Sequence, residues 1–219
     1  MTTASGKRKR LPAKPAEWSV AALAAGLVFG VPATATGQAM TADELCRPDA
    51  QRMNDLAADL AGGTWSINHQ AGYVVTQGMV MPHPADNQVQ TGSFELRDGT
   101  LVLVPHGSPM EVELTTPEKL WNFDEAPSLP EGARLAPNMG ELPNLAIGDD
   151  DLGLLTDCAA NDLPRFVGES SVAVDGTVMH FTLRLIVVDS SLIYGFQQVD
   201  ATARGIPVME RRSFLMNRD

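Results

Sequence analysis

The stretch Met79-Val80-Met81-Pro82-His83 has the residue types most suited to chemistry in this chain. On an extended backbone positions 79, 81 and 83 share one face, so two thioethers and an imidazole could converge. Soft sulfur and imidazole ligands suit Cu(I), and His106 with Met110 offers a second such pair. Methionine is equally a core gap-filler, and Pro82 and Pro84 work against a regular strand through His83. A second cluster, Asp149-Asp150-Asp151 with Asp157 or Asp124, presents hard oxygens of the kind Ca²⁺ takes. It lacks the alternating spacing of a dedicated calcium loop and reads as well as a solvated turn with a helix cap. No G-x-S-x-G or H-E-x-x-H occurs, and the four histidines (His69, His83, His106, His180) fall on separate elements. The expectation is a protein with no cofactor and no catalytic site.

The elements that must position these residues read as mainly β. In Thr177–Val187, Met179, Phe181, Leu183, Leu185 and Val187 alternate with His180, Thr182 and Arg184, the period of a half-buried antiparallel strand. Asp175-Gly176 before it marks a hairpin back onto 166–174, and Asp98-Gly99 marks another. Further strands are expected over 64–69, 73–81, 88–97, 101–105, 110–115, 192–201 and 208–216. Nearly consecutive strands with short links predict an antiparallel up-and-down meander, forming a barrel or a strongly curved sheet. Residues 41–61 predict a short N-terminal helix, possible in two pieces. Pro48 suits its first position, Met53, Leu56, Ala57 and Leu60 form its apolar face, and Gly62-Gly63 ends it.

Residues 122–165 differ in character. Pro127, Pro130, Pro137, Pro143 and Pro164 punctuate them, and Asp149 or Asp150 could cap a short helix through Leu152 and Leu155. This is a long Pro-rich insertion, expected to cover one end of the sheet as a lid or to act as a structural excursion.

Lys7-Arg8-Lys9-Arg10, a 14-residue apolar run from Trp18 to Val31, and the small-residue sites at Ala33–Ala35 and Gly37–Ala39 follow the order of a signal peptide. The run is shorter than the ~20 residues of a membrane span. Residues 1–39 are therefore expected to be a cleaved leader, and 40–219 a single periplasmic or secreted domain with no stable membrane insertion. The whole chain carries 16 Lys+Arg against 27 Asp+Glu; without the leader 11 face 26, a balance of −15. Such a surface repels phosphate backbones, which excludes nucleic acid. Cys46 and Cys158, the two cysteines, favour a disulfide in an exported chain.

Gly63-Thr64-Trp65, after a short helix and at the start of the first strand, resembles the opening of the lipocalins and the wider calycin superfamily. The resemblance implies that Trp65 plugs the closed end of an eight-stranded barrel and that an arginine of the last strand packs across it. Arg211 and Arg212 are the candidates, with Arg204 behind them. On the residues alone, Trp65 is equally a core aromatic opening a sheet. The resemblance further implies a small hydrophobic ligand inside the barrel. The lining expected from the inward set is Val75, Phe94, Leu96, Met179, Phe181, Leu183 and Leu185. Two other classes stay open: an envelope protein-interaction module with a solid core, and Cu(I) handling through Met79, Met81 and His83.

Overall fold

A computed structural model of the chain describes residues 40, 43–118, 129–143, 145, 149–152, 154–174 and 176–219. The expected leader, Trp121, Asp124 and Asp175 lie outside the described residues. The chain opens with a 3-10 turn at Asp43–Leu45 and then α1, Ala50–Leu60. Asp49, not Pro48, starts α1: its carboxylate accepts from the Arg52 amide at 2.8 Å, satisfying one of the orphan donors of the first turn. Leu56 and Leu60 are its buried pair, and Gly62 and Gly63 leave it with φ of 89° and 73°.

Among the described residues ten strands follow: β1 Trp65–Thr76, β2 Met79–His83, β3 Gln90–Arg97, β4 Thr100–Pro105, β5 Val112–Thr115, β6 Arg134–Leu135, β7 Arg165–Val174, β8 Thr177–Asp189, β9 Leu192–Ala203 and β10 Ile206–Arg218. A four-residue helix, α2 Asp149–Leu152, sits in the insertion. The sheet order is β10-β9-β8-β7-β5-β4-β3-β1-β2-β6, and β10 also pairs with β1. Eight strands thus close a ring in which every pairing is antiparallel and, β2 and β6 aside, every neighbour is the next strand in sequence. The expected meander is present, and it closes.

Three tight turns share one device. Gln77-Gly78, Asp98-Gly99 and Arg204-Gly205 each place two successive residues at positive φ, the twist that joins adjacent antiparallel strands. The first of these divides the expected strand 73–81 into β1 and β2. Within β1, the register against β10 shifts between His69 and Gly72. A bulge here inserts an extra residue and exchanges the faces. Trp65, Ile67 and His69 point inward; beyond the bulge Gly72 and Val74 do, while Tyr73 and Val75 point outward.

Three apolar clusters result. The inner one joins Leu45, Leu56 and Leu60 to Trp65, Ile67, Phe94, Leu103, Val112, Phe166, Leu183, Leu185, Ile193, Phe214 and Met216. The other two coat the outside of the ring. Leu152, Cys158, Ala160 and Leu163 pack on Ile186, Val188 and Tyr194; Leu145, with Leu129, Ala133 and Met139 beside it, packs on Tyr73, Val75 and Val80. The described parts of the insertion are therefore seated on the outer wall. Cys46 and Cys158 form the expected disulfide, spanning 112 residues with a Cα–Cα distance of 5.6 Å. Arg165, 2 % exposed, holds the approach to β7: its guanidinium donates to the carbonyls of Ala160, Asn161 and Leu163 at 2.7–3.0 Å. Among the described residues no helix is long and apolar enough to cross a membrane.

Candidate functional site

One end of the ring is sealed. Trp65 is fully buried and meets Phe94 edge-on at 5.3 Å between ring centroids. An arginine does lie across its indole, but it is Arg218, with Cζ 5.8 Å from the ring centroid. Register explains the choice: Trp65 is paired directly with Arg218, whereas Arg211 and Arg212 pair with Tyr73 and Gly72, farther along β1. Arg218 Nη2 also donates to the Asp59 carbonyl of α1 at 2.9 Å, and Nη1 lies 3.5 Å from the Ser190 carbonyl in the β8–β9 turn. One side chain thus ties helix, first strand, last strand and a turn together. Arg211 points outward, donating Nε to Gln198 Oε1 at 2.7 Å.

Arg212 points inward and belongs to a polar belt across the ring. It bonds Asp86 at 2.8 Å and lies 3.1 Å from Glu210, which in turn lies 3.3 Å from His83 Nδ1. His69 and Gln197, both buried, complete the belt, with His69 Nε2 3.4 Å from Gln90 Oε1. Burial, reinforced by the charge of Arg212, holds the His69 pKa below its ordinary value. Gly72 is what lets Arg212 stand here. A Cβ at 72 would overlap the Arg211 carbonyl and the Arg212 side chain.

Beyond the belt the wall changes. On one edge of β1, Trp65–Ile67 pair with β3, but Gly72–Thr76 pair with β2 instead. On the far side, β5 reaches only Val167–Glu169 of β7, and among the described residues Ser170–Val174 pair with β8 alone. The ring is complete around Trp65 and parts at its other end. Inward residues there, Met179 and Phe181 on β8, Ala201 on β9 and Val208 on β10, are half-buried.

The expected lining divides accordingly. Phe94, Leu183 and Leu185 are packed into the sealed core, and Met179 and Phe181 stand toward the open end. Val75 is not inside, because the bulge turns it to the outer wall beside Tyr73 and Val80. Leu96, next to the Asp98-Gly99 turn, is 45 % exposed. Met79, Met81 and His83 do share one face of β2, and the strand runs through Pro82 after all, on an edge where its missing N–H costs little. Both methionines are exposed, and His83 faces Glu210. Among the described residues no group of three or more His, Cys, Asp or Glu side chains is placed to hold a metal ion. Asp150 and Asp151 lie in α2, whose Leu152 is buried.

Arg218, His69, Asp86, Glu210 and Gln197 were not singled out from sequence. Carrying the alternation Phe214, Met216 two residues further reaches Arg218, and carrying Trp65, Ile67 two residues further reaches His69. No family model matches this sequence, and no curated protein matches it.

Proposed function

We propose that this chain is an exported, lipocalin-like β-barrel that admits a small hydrophobic molecule through the end remote from Trp65. The observation that carries the reading is the gradient along β8: Leu185 is fully buried and Leu183 nearly so, whereas Phe181 and Met179, inward on the same strand, are half-exposed. Apolar side chains that face inward yet stay accessible form the type of surface a small apolar ligand covers. The belt of Arg212, Glu210 and His69 sets the depth to which such a ligand descends. The disulfide supports an oxidising destination. Titrating delipidated protein with N-phenyl-1-naphthylamine tests this reading. Saturable enhancement, weakened at least fivefold by Phe181→Asp, is expected; no saturable uptake, or equal uptake by the variant, refutes it.

A second reading, an envelope interaction module, draws on Leu154 and Leu155, which are 87 % and 52 % exposed in the insertion. Recovery of a stoichiometric protein partner from native envelopes that is lost on replacing both by Ser would favour it.

A further inference from the structure

A groove of about 670 Å³ lies on the outside of the ring. Strand alternation assigns its side chains: Val178 and His180 of β8, Asp200 and Thr202 of β9, Pro207 and Met209 of β10 and Val75 of β1 all point away from the interior. Pro130, from the insertion, and the Gln77-Gly78 turn also border it, as do Thr76, Ala201 and Val208, which alternate onto the inward face at the rim of the ring. The volume is within the ~300–1,000 Å³ range of small-molecule sites. Its floor is apolar, supplied by Val75, Pro207, Met209 and Val178, the last 50 % exposed.

Two polar groups project into it, and both are fixed in place. His180 Nδ1 is 2.7 Å from Ser171 Oγ, so the other ring nitrogen is left to a ligand. Asp200 Oδ2 accepts from Gln198 Nε2 at 2.5 Å, and Gln198 is oriented because its Oε1 accepts from Arg211. The second carboxylate oxygen of Asp200 is uncommitted, and among the described residues Asp200 has no ion-pair partner. A carboxylate held rigid beside an apolar floor attracts a positive group attached to an apolar body. The net charge of −11 raises the local concentration of cations and repels anions of the same shape.

We propose that this groove is a second ligand site, separate from the ring's interior, for a small amine whose ammonium group meets Asp200 while its apolar body lies on Val75, Val178, Pro207 and Met209. Size-matched probes test it: 4-phenylbutylamine and 4-phenylbutanoate, titrated calorimetrically into the full chain. The amine should bind saturably and about tenfold or more tighter than the carboxylate, the scale of one charge-assisted contact. Asp200→Asn should erase the preference, and Val178→Lys, at an exposed position, should weaken the amine without altering the far-UV spectrum. Amide shifts should fall on Val178, Thr202 and Met209, and the amine should not displace N-phenyl-1-naphthylamine. Equal affinity for the two probes, no binding of the amine, or full amine affinity in Asp200→Asn overturns the proposal. So do shifts centred on Met179 and Phe181. None of these outcomes bears on whether the interior takes up the dye.

Discussion

Replacing Arg218 by Ala tests the sealed end most directly. The guanidinium donates to the Asp59 carbonyl at 2.9 Å, a hydrogen bond with a charged partner, worth about 1.5–3 kcal/mol when well sheltered. Its contact with the Trp65 ring adds about 0.5–1 kcal/mol. The ion pair with Asp59 at 3.9 Å adds little, and the side chain is 28 % exposed, which places the hydrogen bond at the lower end of its range. A loss of about 2–3 kcal/mol follows, or a fall in Tm of about 4–12 °C for a domain of this size. Arg218→Lys keeps the charge but not the planar fork, and should recover less than half of it. A double-mutant cycle with Trp65→Phe, followed by urea unfolding, isolates the stacking contribution, expected at about 0.5–1 kcal/mol. If Arg218→Ala costs under about 0.5 kcal/mol and the coupling is zero within error, the sealed end is held by apolar packing alone.

Three further perturbations separate the remaining contributions. Changing both Cys46 and Cys158 to Ser opens a loop spanning 112 residues and should lower unfolding free energy by up to about 4–5 kcal/mol, read from urea midpoints of the two proteins. Gly72→Ala drives a methyl group into the backbone of Arg211 and into Arg212, so a loss of about 1–3 kcal/mol by thermal denaturation is expected; an unchanged Tm would show that the bulge is loosely held. His69, whose folded pKa lies below its ordinary 6.5, binds its proton more readily when unfolded. Its contribution is therefore full above about pH 6.5 and is lost as the pH falls below that toward the folded pKa. His69→Gln should flatten the stability profile on the acid side, and a profile identical to that of the parent would contradict the assignment.

Most of the ring was legible because its determinants are local. Alternation in β8, β9 and β10 and the glycine turns at 99 and 176 depend on neighbours a few residues apart. A bond between Cys46 and Cys158 was favoured by their number and by the expected compartment. What could not be read depends on register between distant strands. Gln70-Ala71-Gly72 marks an interruption between the expected strands 64–69 and 73–81, but composition does not show that one strand runs through it with its faces exchanged, which puts Val75 on the outer wall. Gln77-Gly78 is a weaker hairpin signal than Asp98-Gly99, so two strands read as one. Arg218 lies beyond the expected end of the last strand at Met216, because nothing local marks Asn217 and Arg218 as the continuation that reaches the cross-strand partner of Trp65.

That single bulge also explains why the two ends differ. Had β1 continued in its first register, Tyr73 and Val75 would have entered the ring and extended the apolar core toward its far end. With the faces exchanged, Gly72 and Val74 point inward instead, one with no side chain and the other a small one. Arg212 occupies the position opposite Gly72, where a Cβ would overlap it. Tyr73 meanwhile becomes a fully buried anchor on the outer wall, its hydroxyl pKa raised by that burial. Leu145 and Val80 cover it there. A chain whose interior is only partly apolar must bury apolar surface elsewhere to be stable. The two outer clusters do so, the one around Ile186 and Tyr194 pinned by the disulfide and by Arg165. Apolar burial is thus concentrated around Trp65 and along the outer wall, away from the half-buried inward residues Met179 and Phe181.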